Sequence, residues 1–440
     1  MELPAVDYVD TGLSLFNGTQ KDLEAYQNEK YSSLLHYAYS HVPYYHRIFE
    51  EIGLFKNGNF VEEKICDIPV LTREILRNEY ENFKSDEFDS LSPKAHSSSG
   101  SSGTPLTIYH CKNQEYCGKE DKLLFGALNG RKPGDFWIKL WGNESDLLGG
   151  KMLKEGPKKL RYNNRIILDA FHQTEEKLKS FIGEINQRTP VMIWAYVDPI
   201  FQLSRYIIKN KIEIYNPICI ITTGSMLSKA VKTEIQKAFP NSKVANQYGC
   251  SEAGTLASEV NGKDGLRIFE HSVKLEILHE DGSISDEGSG EILVTSLNNH
   301  AMPLIRYKIG DRGTITRNIE GLEGSFSLIT DLHGKTNAHI KKANGELVFG
   351  QFFCDLFCTQ EWVERFLIIQ TAPNDLEIHI QIRSGHSKDE AALENILKTI
   401  DRELGLCHYD IIFDDVALPK SGKLEYLRPY SESASQTPAS

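Results

Sequence analysis

The 440-residue sequence has no run of about 20 apolar residues, so nothing in it reads as a transmembrane helix. Its longest apolar candidate, Val191 to Val197, is only a strand's length. A basic segment followed by an apolar stretch is also missing near Met1-Glu2-Leu3-Pro4, and we expect no secretory signal. Basic residues are in deficit, 49 Lys and Arg against 61 Asp and Glu, for a formal net charge of −12. That balance speaks against nucleic acid as a partner, because phosphate binding needs a basic surface. Cysteine is scarce: eight residues and no Cys-x-x-Cys pair. A low cysteine content without a secretory signal fits the reducing cytoplasm. Cys354 and Cys358, four apart, either share a helix face as metal ligands or pack as small apolar residues, and the second reading is favoured. The sequence also lacks His-Glu-x-x-His, an EF-hand loop, Gly-x-Ser-x-Gly, Gly-x-Gly-x-x-Gly and the Gly-Lys-Ser/Thr of a Walker loop. Zincin, serine-hydrolase, Rossmann and P-loop chemistries therefore have no support.

What is present is the composition of an ordinary globular chain, 40% hydrophobic and 25% charged. At roughly 150 residues per domain it is long enough for two or three domains. The first 95 residues read as mostly helical. Asp22 to Tyr39 is amphipathic, and Thr72 is placed to cap the segment from Arg73 to Tyr80. Beyond residue 105, short apolar strands alternate with helical patterns. Arg165–Asp169, Val191–Tyr196, Ile218–Thr223 and Lys243–Tyr248 are predicted strands; Thr174–Ile185 and Ser228–Ala238 are predicted helices. That alternation predicts parallel α/β layers. After Gly262 the pattern changes: Val273–Leu278 and Gly290–Thr295, with an Asp281-Gly282 turn between them, predict an antiparallel β unit. The last 105 or so residues read as a small α+β unit, with strands at Leu376–Ile382 and Asp410–Phe413 and a helix from Lys388 to Leu404. The predicted division is 1–95 as the helical part of a large domain, 96–334 as its core, and 335–440 as a small C-terminal domain.

Between the helical start and the α/β layers lies Ser97-Ser98-Ser99-Gly100-Ser101-Ser102-Gly103-Thr104-Pro105, followed by the strand-like Leu106–Tyr109. Glycines let backbone N–H groups fold into a concave nest and hydroxyls add donors, which suits a polyphosphate. The same composition also makes flexible linkers, and composition alone leaves the two readings open.

Three further segments bear on the choice: Tyr248-Gly-Cys-Ser-Glu252, Pro303-Leu-Ile-Arg-Tyr-Lys-Ile-Gly-Asp-Arg312, and Leu418-Pro-Lys-Ser-Gly-Lys423. With the loop, they stand in the order and approximate spacing of the AMP-forming adenylating enzymes, and the chain resembles that superfamily over about residues 30–430. Ile68-Pro-Val-Leu-Thr-Arg-Glu-Ile-Leu-Arg77 resembles the phenylacetate–CoA ligase branch. The compact length and the loop ending in Gly-Thr-Pro-Leu look most like the capsular polysaccharide biosynthesis subgroup.

The resemblance implies roles residue by residue. Ser99, Gly100, Ser101, Ser102, Gly103 and Thr104 would cradle the ATP phosphates, with Thr104 where a lysine is commonest. Gly224, Ser225, Gln247, Tyr248 and Gly249 would line the nucleotide pocket, Tyr248 stacking on adenine. Glu252 would hold Mg²⁺ bridging the phosphates, since a carboxylate suits a hard cation. Asp311 would accept hydrogen bonds from the ribose diol, and Lys335 would contact ribose or phosphate. Asn337 stands where the family's Asp hinge is commonest. Lys423 would reach the reacting carboxylate and α-phosphate as a catalytic cation. Arg306 stays open between a surface cation and a group facing substrate, and lone His172 between a packed residue and one in the acyl pocket. Val260 and Arg267 occupy the places where some relatives carry apparent zinc ligands, so no zinc is expected beside Cys250. The implied activity is an AMP-forming ligase using ATP and Mg²⁺ that joins a carboxylate to coenzyme A or to an amine, with a part in surface polysaccharide assembly. The alternative is a nucleotide-binding homologue that has lost its chemistry and serves as a regulatory or scaffolding subunit.

Overall fold

The computed structural model describes residues 5–98, 106–141, 164–169, 174–225, 227–317, 319, 323–333, 339–341, 347–372, 375–405, 408–416 and 426–430. The chain opens with helices α1 (Ala5–Asn17), α2 (Gln20–His41) and α3 (Pro43–Glu51). Thr19 starts α2 with a reciprocal capping box to Asp22, and Pro43 starts α3, where its missing N–H costs no bond. A small hairpin, β1 (Phe55–Lys56) and β2 (Asn59–Phe60), leads to α4 (Arg73–Asn78). The predicted cap holds there: Thr72 Oγ1 accepts from the Ile75 amide at 3.2 Å.

Strands β3 (Lys94–Ser98) and β4 (Leu106–His110) pair antiparallel, Ser98 opposite Leu106. The Ser/Gly segment therefore connects two strands that pair with each other. Helix α5 (Lys112–Leu128) follows. The chain then alternates: β5 (Trp137–Trp141), β6 (Arg165–Asp169), α6 (Glu175–Arg188), β7 (Met192–Tyr196), α7 (Val197–Lys209), β8 (Cys219–Thr223), α8 (Lys229–Ala238) and β9 (Lys243–Cys250). These strands pair parallel in the order β6-β5-β7-β8-β9, and β7 and β8 are buried at every residue. Continuous apolar runs such as Cys-Ile-Ile give such doubly covered strands. Thr174 and Ser228 cap the two predicted helices.

The antiparallel arm begins earlier than the sequence pattern suggested. It comprises β10 (Gly254–Ser258), β11 (Leu266–Ile268), β12 (Val273–Leu278), β13 (Ile284–Ser285), β14 (Gly288–Ser296), β15 (Tyr307–Thr316) and β16 (Leu328–His333). It is continuous with the parallel layer in one 12-stranded sheet. The joint is β9: its first half, Lys243–Asn246, pairs parallel with β8, and its second half, Gln247–Cys250, pairs antiparallel with β10. The two-residue β13 sits where the Asp281-Gly282 turn returns the chain.

Beyond lie β17 (His339–Lys341), β18 (Leu347–Phe349), α9 (Gly350–Phe357), β19 (Val363–Ala372), β20 (Asp375–Ile382), α10 (Glu390–Leu404), β21 (His408–Phe413) and β22 (Leu427–Arg428). Four of them form a sheet in the order β21-β20-β19-β22. In β20, Leu376, Ile378 and Ile380 are buried and alternate with half-buried residues, as the period-2 pattern required. Asp389 caps α10 and so starts it one residue after itself. Cys354 and Cys358 are buried with sulfurs 3.3 Å apart, packed with Phe353, Phe357 and Phe366. No helix among the described residues is long and apolar enough to cross a membrane.

Candidate functional site

The joint in β9 sets the site. Its second half carries Tyr248 to the boundary between the parallel and antiparallel parts, beyond the carboxyl ends of β7 and β8, where open α/β sheets leave a crevice. Across that crevice, β15 carries Asp311. Between the pairs Glu291–Arg312 and Leu293–Lys308, β15 holds two more residues than β14. This bulge contains Gly310 at φ 88° and Asp311, and bulges of this kind re-aim side chains. The Tyr248 hydroxyl donates to Asp311 Oδ2 at 2.7 Å. Tyr248 is buried in the same core as Leu256 and Tyr307, and burial pushes its phenol well above the usual range, so it stays a donor.

Gly224 directly follows β8, with φ 85°. A Cβ there would lie 2.5 Å from the Tyr196 ring, so only glycine lets the β8 exit pass the end of β7. Ser225 beside it is half-buried. Gln247 is buried and donates to Thr255 Oγ1 at 3.1 Å; its Oε1 has no partner among the described residues. Glu252, just past β9, is half-buried, and its carboxylate makes no hydrogen bond or ion pair among the described residues. An unengaged carboxylate beside Tyr248 has the donor chemistry that Mg²⁺ requires. Cys250 is half-buried, and burial pushes its thiol up.

Three residues that the sequence reading missed connect these segments. His96 on β3, His110 on β4 and Glu115 on α5 converge, with ligand atoms within 4.8 Å of one another. His96 Nε2 lies 2.7 Å from Glu115 Oε1, and His110 Nδ1 lies 3.5 Å from the same oxygen. The other nitrogen of His110 bonds the backbone carbonyl of Glu252 at 3.0 Å. Bonding to His110, with the charge of His96, holds the Glu115 carboxyl at about 2. The base of the Ser/Gly hairpin is thus braced through α5 and β4 to the Tyr-Gly-Cys-Ser-Glu segment. Because the three residues lie on three elements, no spacing or period announces them; the closeness of His96 to the loop was the one available signal.

Arg306 resolves to neither of its two readings. It is buried at φ 51° and pairs with buried Glu276 at 2.8 Å. It also donates to the carbonyls of Cys66 and Ile68, and its own carbonyl accepts from the Leu71 amide. It therefore fastens the Ile68-Pro-Val-Leu segment to the sheet. Ser99, Gly100, Ser101, Ser102, Gly103, Thr104, His172, Lys335, Asn337 and Lys423 lie outside the described residues.

No family model matches the chain. Among characterised proteins it is similar to Protein CapK of Staphylococcus aureus, 26% identical over 298 residues, which is 66% of this chain and 62% of CapK. It is also similar to the phenylacetate-coenzyme A ligase of Thermus thermophilus, 26% identical over 305 residues, 68% of this chain and 66% of that enzyme. Each alignment spans just under two thirds of the relative's own length. In fold the chain is similar to 2-hydroxyisobutyryl-CoA ligase in its postadenylation state, with a TM-score of 0.73 at 14% identity, covering 96% of this chain and 92% of that one. The resemblance to the adenylating superfamily, on its phenylacetate–CoA ligase-like branch, and the expected α/β architecture both agree with these findings.

Proposed function

We propose that this chain, a relative of the AMP-forming adenylating enzymes, activates a carboxylate with ATP and passes the acyl group to a thiol or an amine. The carrying observation is the meeting of Tyr248, Asp311 and Glu252 at the sheet joint, with the Ser/Gly hairpin braced to the same segment. In the first half-reaction a carboxylate oxygen attacks the α-phosphorus of ATP. The bond to pyrophosphate breaks and an acyl-adenylate forms. In the second, coenzyme A or an amine attacks the acyl carbon and AMP leaves.

The residues supply positioning and charge. Asp311 offers two oxygens to a ribose diol, with Tyr248 fixing one of them. The loop from Ser99 to Thr104 offers N–H and O–H donors to the phosphates. Glu252 would hold Mg²⁺, which when bound neutralises charge on the departing pyrophosphate. Lys423 offers an ammonium to the α-phosphate during adenylation, and Lys335 a second contact to the nucleotide. We take 335–440 as a small domain that turns between the two half-reactions, with 1–95 and 96–334 forming the large one. A cytoplasmic ligase acting in surface polysaccharide assembly is the setting we favour, on the likeness of the loop to that subgroup.

The test is a product assay by mass spectrometry with ATP, Mg²⁺, a carboxylate panel, and coenzyme A or amines. AMP appearing together with a thioester or amide supports the reading. ADP as the product, or nucleotide binding without turnover for any acid, overturns it.

A further inference from the structure

The β3–β4 pair and the start of α5 turn three metal-binding side chains on one point. In the antiparallel register His96 stands opposite Ile108 and His110 opposite Lys94, so the two histidines are diagonal neighbours on one face of the pair. Their ring centroids lie 4.2 Å apart, with the planes inclined by 26°. Cys111 then caps α5, its sulfur accepting from the Gln114 amide, and the first turn of the helix brings in Glu115. His96, His110 and Glu115 each offer one ligand atom, and the three atoms lie within 4.8 Å of one another.

The hydrogen bonds leave this group one cation short. The Glu252 carbonyl can only accept, so His110 Nε2, 3.0 Å from it, carries the hydrogen. In a neutral ring Nδ1 is then a bare lone pair, and it faces Glu115 Oε1, a second acceptor, at 3.5 Å. A proton or a metal ion must part them. A histidine that gives its far N–H to a backbone carbonyl and keeps its near nitrogen bare is held as metal-bound histidines are. The same Oε1 lies 2.7 Å from His96 Nε2. The His96 side chain is 36% exposed, so its ring has room to turn toward a shared ion. Lys94 Nζ stands 3.8 Å from the other oxygen, Oε2, and leaves Oε1 to the histidines.

We propose that His96, His110 and Glu115 bind a divalent transition-metal ion of the zinc class, with water in the remaining position. Two imidazoles and one carboxylate suit zinc and its neighbours better than Mg²⁺ or Ca²⁺, which prefer oxygen donors alone. Three protein donors leave one place open on a tetrahedral ion, and the partial exposure of His96 and Glu115 gives the ion its way in. None of these donors belongs to the segment around Cys250, where no zinc is expected. Bound here, the ion would tie β3, β4 and α5 together at the foot of the Ser/Gly segment and, through His110, hold the Glu252 backbone. The inference stands on these residues and does not depend on the adenylation reading.

The test uses the full chain without a histidine tag, stripped by a chelator and titrated with Zn²⁺ alone by calorimetry, then with Co²⁺ for its absorption spectrum. We expect one Zn²⁺ per chain. Co²⁺ should give the visible bands of a four- or five-coordinate ion, without the near-ultraviolet band of a cobalt–thiolate bond that the cysteines would produce. Glu115→Gln and His96→Gln should each weaken Zn²⁺ binding at least about 100-fold, the upper end of what even an outer partner of a ligand is worth. Glu252→Gln, which keeps the carbonyl that His110 uses, should bind like the wild type. Stripped protein that takes up no Zn²⁺ means that a proton alone parts His110 from Glu115, and overturns the proposal. A cobalt–thiolate band, or binding that survives both substitutions, places the ion elsewhere and overturns it too. Circular dichroism checks that the variants fold. If one does not, the other carries the comparison, and the wild-type stoichiometry and cobalt spectrum require neither.

Discussion

The Tyr248 hydroxyl and Asp311 Oδ2 are 2.7 Å apart, although 63 residues separate them in sequence. The bond fixes the orientation of the carboxylate at the end of the β15 bulge. Asp311→Ala should weaken AMP and ATP binding by about 2–3 kcal/mol, the value of charged hydrogen bonds. Tyr248→Phe, which removes only the orienting donor, should cost about 1 kcal/mol. Calorimetry with AMP measures both, and unchanged affinity in Asp311→Ala would remove the ribose role.

Arg306 should behave in the opposite way. Its partner Glu276 is 3% exposed, so Arg306→Ala leaves a buried carboxylate without its cation. Breaking a buried pair costs about 3–5 kcal/mol. Denaturant unfolding should show a loss of that size, whereas Asp311→Ala should unfold much like the wild type.

Parts of this architecture were legible in the sequence and parts were not. Strands such as Cys219–Thr223 and helices capped by Thr72, Thr174 and Ser228 were readable, because period and capping are local signals. The start of the antiparallel arm was misplaced because β9 is shared between two pairing modes, and nothing in Lys-Val-Ala-Asn-Gln-Tyr marks where one hands over to the other. Asp311 read as a ribose ligand through the resemblance, and the structure adds that it lies in a bulge inside a strand. Arg306 was undecidable because burial of a lone arginine depends on a partner 30 residues away. The brace of His96, Glu115 and His110 was invisible because its members come from three elements.

That brace has a consequence for binding. Glu115→Ala removes the oxygen to which both histidines turn, freeing the base of the Ser/Gly hairpin from α5. We expect KM for ATP to rise about 10-fold, about 1.4 kcal/mol, with a smaller change for the carboxylate. Steady-state kinetics with each substrate varied in turn checks this. An equal rise in both KM values would point instead to a general loosening of the fold.

Lys423 separates the two half-reactions. If it serves adenylation alone, Lys423→Ala should lower ATP–pyrophosphate exchange by about 10²–10³-fold, the scale of losing one preorganised donor. Given a synthetic acyl-adenylate, the same variant should transfer the acyl group at a near wild-type rate. Normal pyrophosphate exchange would make Lys423 a surface lysine.

Glu120 gives a prediction about stability and pH. It lies on α5, 5% exposed, and its Oε2 has no partner among the described residues. Burial first, and then the neighbouring Asp121 carboxylate, raises its pKa to about 7. A carboxyl whose pKa is higher folded than unfolded binds more protons in the native state between the two values. Stability therefore falls as pH rises from the ordinary carboxylate range, near 4.3, toward 7, and stays low above that. Glu120→Gln keeps the shape and removes the charge. It should be more stable than the wild type by about 1–2 kcal/mol at pH 8, less than the full linkage value because relaxation and water entry soften the cost of the buried charge. The gain should shrink steadily as pH falls and vanish near pH 5, where the wild-type carboxyl is protonated in the folded protein. Urea unfolding of both proteins at pH 5, 6.5 and 8 measures the difference directly. A gain independent of pH would mean that Glu120 is neutral throughout, and a loss at pH 8 would mean that its charge is paired.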